Sequence, residues 1–290
     1  MTAMSLPGID VSSFQGLPQA WMAKAGSISW AAVKISELQP SGFRYVNPDA
    51  AADWAALKAA GKGRVAYLFG HPSTDATATV GLFTSQMRAL GLDDADAVCL
   101  DHEVSDGRSP ASVAGWGREV LGRLRATFDR PPLLYTFLSF AAAGNCAGMG
   151  SFPLWIADPS SPEGRPRIPE PWKSWAIHQY RIAGGIDRDL ASYPTLDAMQ
   201  AALGRPRPPA KGPAVTEHVT QGNLSLSGLC AKHPGATPAE VLRLTPRHSP
   251  GGVFPGNVAH WINEVFDGAR DAQADVPAGL HLYLPAAKPA

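Results

Sequence analysis

The chain has 290 residues, 45% of them hydrophobic, which is enough for one domain of about 200 residues and a second, smaller one. Its 25 basic and 25 acidic residues give a net charge of zero, so the composition argues against nucleic-acid binding and against a strongly acidic partner. Three cysteines lie far apart, without histidines at ligand spacing, and indicate buried free thiols rather than a metal site.

The first residues give an expectation about location. Residues 1–7 contain neither the basic nor the apolar region of a secretory signal peptide. No later run reaches the roughly 18 consecutive apolar residues of a membrane-spanning helix. We therefore expect synthesis in the cytoplasm without membrane insertion. The sequence does not indicate an oligomeric state.

The first two hundred residues alternate short apolar runs with amphipathic or alanine-rich stretches. The helical stretches are 48–60, 76–90 and 110–128, the last with Ser109 as N-cap and Pro110 in the first turn. Later connections are short and rich in proline and glycine. The pattern predicts an α/β fold, an irregular (β/α) barrel whose second half has lost most of its helices. The apolar runs predict eight strands, at 8–11, 31–35, 65–69, 97–101, 133–136, 153–157, 175–180 and 185–190.

Two carboxylates, Asp101 and Glu103, lie at the end of the fourth predicted strand. Residues two apart on an extended chain point to the same face, so both side chains share one side of the strand end. They are too close to ionise independently. We expect one of them to keep its proton to higher pH while the other stays charged.

The other strand ends carry acids, aromatic residues and amides. In a barrel, reactive groups gather at the carboxyl ends of the strands. Taken singly, Asp10 could be a helix cap, Tyr67 and Trp155 could be barrel packing, and a histidine here is more often structural. Together they predict an acidic, aromatic-walled bowl that suits a carbohydrate. The candidate substrate-contacting residues are Glu37, Tyr67, His71, Tyr135, Trp155, Gln179, Tyr180 and Asp189.

The strand ends carry a series of short motifs: Gly-Ile-Asp-Val-Ser-Ser-Phe-Gln-Gly (8–16), Ala-Val-Lys-Ile-Ser-Glu (32–37), Ala-Tyr-Leu-Phe (66–69), Leu-Asp-His-Glu (100–103), Leu-Tyr-Thr (134–136), Leu-Trp-Ile-Ala (154–157), His-Gln-Tyr (178–180) and Gly-Ile-Asp-Arg-Asp (185–189). In order and spacing, these motifs resemble those of the glycoside hydrolase family 25 muramidases, the Chalaropsis-type lysozymes. The resemblance covers about residues 7–203. It implies an irregular barrel and cleavage of the β-1,4 bond between N-acetylmuramic acid and N-acetylglucosamine in peptidoglycan, without a cofactor.

The resemblance also implies roles for four acids. Transferred residue by residue, the acidic set of the family falls on Asp10, Asp101, Glu103 and Asp187. Cleaving an acetal requires one protonated carboxyl and one ionised one. By resemblance Glu103 is the acid, and Asp101 orients or charges the 2-acetamido group of the substrate, which can itself attack the anomeric carbon. Asp10 and Asp187 then hold the acid and the sugar in place.

Two positions depart from the family pattern. The third-strand motif usually reads Tyr-His-Phe, where this chain has leucine at position 68. The last motif commonly has asparagine where Asp189 stands here. We expect the extra negative charge to raise the pKa of neighbouring acids and to shift the pH optimum.

The amino-acid composition changes after residue 203. Residues 204–213 form a proline-rich, basic linker, and residues 214–290 are too few for a second enzyme. Residues 218–233 predict a strand, a turn and a helix, Thr237 caps a second helix at 237–244, and 276–285 predict a strand. This order resembles a LysM domain, an α+β module that binds N-acetylglucosamine chains of peptidoglycan and chitin. It departs in having Thr-Pro at 245–246 instead of Asn-Pro and an insertion at 247–275; the alternative is a structural appendage.

The sequence leaves several functions open. The first is a muramidase with a wall-binding tail, as in phage endolysins and actinobacterial autolysins. The second is a catalytically silent protein that binds peptidoglycan or chitin. A third is a metal-dependent hydrolase with Asp10, Asp101 and Asp187 as ligands. Crowded carboxylates favour the enzyme, since a binding protein does not need them. Without a targeting segment, we expect a phage lysin that a separate membrane-permeabilising protein releases to the wall.

Overall fold

Nine strands in the first part of the chain form one sheet, and eight of them close into a barrel. The structure is a computed structural model that describes residues 5–205, 215–219, 230–231 and 281–285. The chain divides into two compact units, Met1–Arg207 and Pro208–Ala290. The strands of the first unit are β1 Leu6–Val11, β2 Trp30–Leu38, β3 Arg44–Val46, β4 Gly63–Phe69, β5 Ala97–Asp101, β6 Leu133–Phe137, β7 Leu154–Ala157, β8 Ile177–Ala183 and β9 Ile186–Ala191.

The direction of the strands defines the mouth of the barrel. Around the ring the order is β1-β9-β8-β7-β6-β5-β4-β2, and β2 pairs with β1 to close it. Neighbouring strands are parallel except for β9, which is antiparallel to both β8 and β1. β3 forms a hairpin with β2 outside the ring. The carboxyl ends of the parallel strands therefore meet at one end of the barrel.

Helices cover the first half of the barrel and nearly disappear from the second half. The described residues between β7 and β8 contain no helix. The predicted barrel, with helices depleted in its second half, is confirmed. The helices are α1 Pro18–Ala25, α2 Ala50–Ala59, α3 Ala76–Leu90, α4 Pro110–Phe128, α5 Leu138–Phe140, which continues as a π-helical turn over Ala141–Asn145, and α6 Leu196–Leu203.

The two longest helices begin and end where the sequence indicates. Ser109 Oγ accepts a backbone hydrogen bond from the first turn of α4 at 3.4 Å, and Pro110 opens the helix. Asp75 caps α3 in the same way at 2.7 Å, and α3 ends at Gly91, whose φ of 74° is left-handed. Both predicted ranges are confirmed. The sequence patterns do not predict the short elements α1, β3 and α6.

Side chains alternate between the inside and the outside of the barrel. On β5, Ala97 and Cys99 belong to the core inside the ring, whereas Val98 and Leu100 pack against the outer helices. Asp101 is the next residue on the inward face, at the end of the strand. The alternation that places Ala97 and Cys99 inside the barrel therefore also directs the side chain of Asp101 into the mouth.

Large aromatic side chains fill the interior below the mouth. Trp30 and Trp155 meet edge to face, with ring centroids 6.2 Å apart. Gly8 on β1 makes room for Trp30, because a Cβ atom at this position would lie 2.2 Å from the indole ring. The interior is thus a packed core rather than a channel.

The opposite end of the barrel contains a buried ion pair. Arg64, at the start of β4, donates to both carboxylate oxygens of Asp96, at 2.8 and 2.7 Å. Its guanidinium lies 4.3 Å from the ring centroid of Trp54. Arg64 also contacts Asp93 at 2.8 Å, which the exposed Lys58 contacts at 3.0 Å. This pair ties β4 to the turn before β5, far from the mouth.

The remaining predictions concern the cysteines and the second unit. Cys99, Cys146 and Cys230 are buried and free, as predicted. In the second unit, β10 Val215–Val219 pairs antiparallel with β11 His281–Pro285. Apart from the helical residues 230–231, the predicted helices and the insertion at 247–275 lie outside the described residues. The described helices include none that is both long and apolar enough to cross a membrane.

Candidate active site

A cavity of about 400 Å³ opens at the carboxyl ends of the parallel strands. All four acids that the sequence singles out line it. Four of the eight predicted substrate-contacting residues line it as well. The lining residues are Asp10, Ser12, Phe14, Gln15, Lys34, Tyr67, Phe69, Asp101, Glu103, Tyr135, Trp155, Gln179, Ile182 and Asp187.

Asp10 and Asp187 lie directly opposite each other in the β1–β9 register. The side-chain amide of Gln179 on β8 donates to Oδ2 of Asp10 at 2.7 Å. The hydroxyl of Tyr135 on β6 donates to Oε1 of Gln179 at 3.0 Å. A chain of hydrogen bonds across three strands therefore fixes the orientation of Asp10.

Asp101 and Glu103 flank a histidine that anchors the end of β5. His102 is buried, stacks on Trp116 with centroids 5.9 Å apart and meets Phe140 edge to face. Its Nε2 lies 3.2 Å from a backbone carbonyl of the π-helical turn. Because His102 is held on the outer face of the barrel, the acids on either side of it face the cavity. Asp101 is 8% exposed, and its Oδ1 is buried without a hydrogen-bond partner in the described chain.

Burial raises the pKa of all four acids. Burial and then the charge of Asp187 raise the pKa of Asp10 to about 7. The pKa of Asp101 lies well above its usual range, because of burial and then Glu103. Burial also raises the pKa of Glu103, an effect that Lys34 opposes, and burial raises that of Asp187. Near neutral pH Asp10 is therefore present in both its protonated and its ionised form, and burial favours the protonated form of the other three acids.

Lys34 is the only cationic side chain among the described residues that line the cavity. It follows Trp30 and Ala32 on the inward face of β2. Its ammonium lies 4.7 Å from the ring centroid of Phe69 and 2.6 Å from Oε2 of Glu37. The sequence reasoning missed Lys34, although the alternation along β2 was a signal that could have placed it.

Glu37 contacts this lysine, and His71 contacts Glu37 in turn. Oε1 of Glu37 lies 3.2 Å from Nε2 of His71, and Nδ1 of His71 lies 2.9 Å from Oδ1 of Asp106. Neither residue is among those that line the cavity, and their contact with a substrate stays a prediction. Together with Lys34 and Asp106 they form a chain of polar contacts beside the mouth.

Asp189 and Tyr180 also lie away from the lining. Asp189 is 0% exposed, and its Oδ1 accepts a hydrogen bond from Nε1 of Trp155 at 2.9 Å. Tyr180 follows the inward-facing Gln179, so its ring lies on the other face of β8, against His178. Neither residue is among those that line the cavity, and their contact with a substrate stays a prediction.

Aromatic and apolar side chains form the walls and rim of the cavity. Tyr135 and Trp155 meet edge to face with centroids 5.1 Å apart. At the rim, Phe14 is 93% exposed and Ile182 is 71% exposed. Gln15 donates to the carbonyl of Gly185 at 3.2 Å and so ties the loop after β1 to the β8–β9 hairpin. Exposed apolar side chains beside a polar cavity suit the faces of sugar rings.

The donor set of the cavity bears on metal chemistry. Within the residues that the structure describes, no three histidine, cysteine, aspartate or glutamate side chains are arranged to hold a metal ion. The four acids line the cavity with raised pKa values. A protonated carboxyl can donate its proton to a leaving oxygen, and an ionised neighbour can stabilise the positive charge that develops on the sugar. This is the chemistry of acetal hydrolysis.

Comparisons with known proteins agree with this geometry. The model of the family described as glycosyl hydrolases family 25 matches residues 9–188, a span that contains all four acids. A muramidase from Trichobolus zukalii is 23% identical, with a TM-score of 0.57 over 68% of this chain and 98% of that chain. A muramidase from Acremonium alcalophilum is 22% identical, with a TM-score of 0.58 over 68% and 98%.

A bacterial lysozyme from Streptomyces coelicolor is also similar in structure. It is 24% identical, with a TM-score of 0.57, and the match covers 68% of this chain and 96% of that chain. No curated protein matches this chain. At such identities the likeness to solved structures concerns the barrel fold, and the family match rests on the motifs of the sequence itself.

Proposed function

The chain belongs to family 25 of the glycosyl hydrolases, and we propose that it is an N-acetylmuramidase that cleaves the β-1,4 bond between N-acetylmuramic acid and N-acetylglucosamine in peptidoglycan. The observation that carries the proposal is the placement of four carboxyls of raised pKa in one aromatic-walled cavity. Solved relatives that are titled muramidase and lysozyme share the barrel and support the proposal.

Glu103 is the general acid in this proposal. Its carboxyl borders the cavity, and burial raises its pKa, which favours the protonated form that a general acid needs. The proton moves to the glycosidic oxygen as the bond between this oxygen and the anomeric carbon breaks. After departure of the leaving sugar, the ionised Glu103 accepts a proton from the water that completes hydrolysis.

Asp101 assists the substrate's own nucleophile. The carbonyl oxygen of the 2-acetamido group attacks the anomeric carbon as the glycosidic bond breaks, and the acetamido N–H becomes acidic in the resulting ring. The buried Oδ1 of Asp101, which has no partner among the described groups, is suited to accept a hydrogen bond from this N–H. Water then opens the ring, and the product retains its anomeric configuration.

We propose that the second unit, residues 214–290, is a LysM-like module that binds wall glycans. The linker at 204–213 joins it to the barrel. The predicted order of strand, helix, helix and strand supports this assignment. The antiparallel pairing of β10 with β11 is compatible with the outer strands of such a module. A hydrolase joined to a wall-binding module suits a phage endolysin that reaches the wall after membrane permeabilisation.

The proposed activity is tested on purified peptidoglycan. The full chain is incubated with insoluble walls, turbidity is followed, and the new reducing ends are reduced and identified by mass spectrometry. Reduced N-acetylmuramic acid at the new ends is the expected result. Reduced N-acetylglucosamine would assign a different bond, and wall binding without new ends would assign a catalytically silent binding protein.

The phage role has a separate test. The full chain is produced in the cytoplasm of a susceptible bacterium, alone or together with a protein that permeabilises the membrane. Lysis only with the second protein is expected. Lysis or secretion by the chain alone would contradict release by a partner.

A further inference from the structure

The carboxyl of Asp189 lies beneath the cavity, and the steps described above do not use it. The side chain is fully buried. One oxygen accepts the hydrogen bond from Trp155, and the other, Oδ2, receives none from the described donor groups. An ionised carboxylate in such a position would be strongly disfavoured, because burial without a partner removes its hydration.

The neighbour of this carboxyl is Asp10. In the β1–β9 register Gly8 lies opposite Asp189 and Asp10 opposite Asp187, which places Asp10 and Asp189 diagonally on the inward face. Oδ2 of Asp189, which has no partner among the described groups, is the oxygen available for a bond to Asp10. Two carboxyls can share a hydrogen bond only if one of them carries a proton. Asp10 borders the cavity and accepts from Gln179, so the proton belongs on the fully buried Asp189.

Among the residues that the structure describes, none supplies a compensating cation to the pair. Lys34 on β2 lines the same cavity but contacts Glu37 at 2.6 Å. Burial, and then the charge of Asp10, raise the pKa of Asp189 well above its usual range. The other titratable groups that face the pair are acids, phenols or a thiol: Tyr67 on β4, Cys99 and Asp101 on β5, Glu103 after β5, Tyr135 on β6 and Asp187 on β9.

We propose that Asp189 is a positioning residue that keeps its proton at neutral pH and donates it in a hydrogen bond to Asp10, while its other oxygen fixes the indole of Trp155. One buried side chain thereby orients an acid and a wall of the same cavity. Loss of the proton would leave two negative charges in contact and would push Asp10 out of place. The protonation of Asp189 stands on the geometry alone, whereas its effect on the reaction rests on the proposed function.

The decisive variant is Asp189→Asn. Its amide keeps an oxygen for Trp155 and an N–H for Asp10, but it cannot ionise. In infrared difference spectra at neutral pH, the wild-type chain is expected to show one carbonyl-stretch band of a protonated carboxyl that Asp189→Asn lacks. Identical spectra in this region would show that Asp189 is ionised and would overturn the proposal. This measurement does not depend on the activity, so its outcome is independent of the muramidase assignment.

The effect on the reaction is measured as a pH profile with soluble muropeptide oligomers. Asp189→Asn is expected to keep its rate at the optimum within about threefold and to extend the alkaline limb by about one pH unit. Superimposable profiles would refute the positioning role. Asp189→Leu, which offers no hydrogen bond, is expected to lose about tenfold or more in kcat with a smaller change in KM. Should Asp189→Leu fail to fold, the two measurements on Asp189→Asn decide the question.

Discussion

The side-chain amide of Gln179 on β8 donates a hydrogen bond of 2.7 Å to Asp10 on β1, across the single antiparallel strand β9 that separates the two strands in the ring. Closure of the barrel by β9 thus brings residues from the two ends of the catalytic unit together. The geometry of Asp10 depends on this bond, since Gln179 is in turn held by Tyr135.

Gln179→Leu removes both hydrogen bonds without changing the charge of the cavity. We expect a loss of about tenfold to a hundredfold in kcat/KM on soluble oligomers, because Asp10 is no longer oriented. The neighbouring Tyr180→Phe is the matched control, since Tyr180 lies on the other face of β8, and it should stay within about twofold of wild type. Equal rates for the two variants would contradict the assigned role of Gln179.

Asp10→Asn is expected to raise stability relative to wild type near pH 8 and to change it little near pH 4. Burial and Asp187 raise the pKa of Asp10 from 3.8 to about 7 in the folded chain. The folded chain therefore binds this proton more tightly than the unfolded chain. The stabilising contribution is complete below about pH 4 and is lost as the pH rises through about 7. Thermal unfolding midpoints at both pH values check this, and a difference that does not depend on pH would refute it.

Arg64→Met is expected to destabilise the barrel by about 3–5 kcal/mol, because it leaves the buried Asp96 without its cation. The control Lys58→Met removes an exposed partner of Asp93 and should change the free energy of unfolding by less than about 1 kcal/mol. Urea denaturation measures both. Since this pair lies far from the cavity, the rate per folded molecule should stay unchanged. A small effect of Arg64→Met would show that the pair is solvated.

Much of this organisation follows from local patterns in the sequence. Period-two alternation predicts the inward face of each strand, so Asp101 and Tyr135 could be placed at the mouth before the fold was known. The N-cap Ser109 and Pro110 predict the start of α4, and the alanine-rich, amphipathic pattern predicts the range of α3. The same alternation, applied to β2 and β8, would have found Lys34 and excluded Tyr180.

Other features depend on contacts between distant segments. Asp189 is buried because β9 packs between β8 and β1, and Glu37 is occupied because His71 comes back from the loop after β4. Nothing in the local sequence distinguishes such carboxyls from exposed ones. The strand β3 has three residues and α1 has eight, and α1 lacks a side-chain N-cap, so their patterns are too short to indicate an element.

The division of labour between the two units gives a further prediction. A chain ending at Arg207 should fold and cleave soluble muropeptide oligomers at close to the full rate, because all four acids lie in Met1–Arg207. It should sediment less with insoluble walls and lyse them more slowly, since a tethered binding module raises the local substrate concentration. Unchanged sedimentation would mean that the second unit does not bind the wall, and loss of activity on soluble oligomers would mean that it supports the barrel.

The assignment of Glu103 as general acid is tested most directly by the rate at which Glu103→Gln cleaves soluble muropeptide oligomers. The amide keeps the size of the side chain but has no proton to give to the leaving oxygen, so the rate should fall by about a hundredfold or more. Circular dichroism and the unfolding midpoint serve as the control for folding. A folded Glu103→Gln chain that releases N-acetylmuramic acid ends at a rate near that of wild type would contradict the assignment.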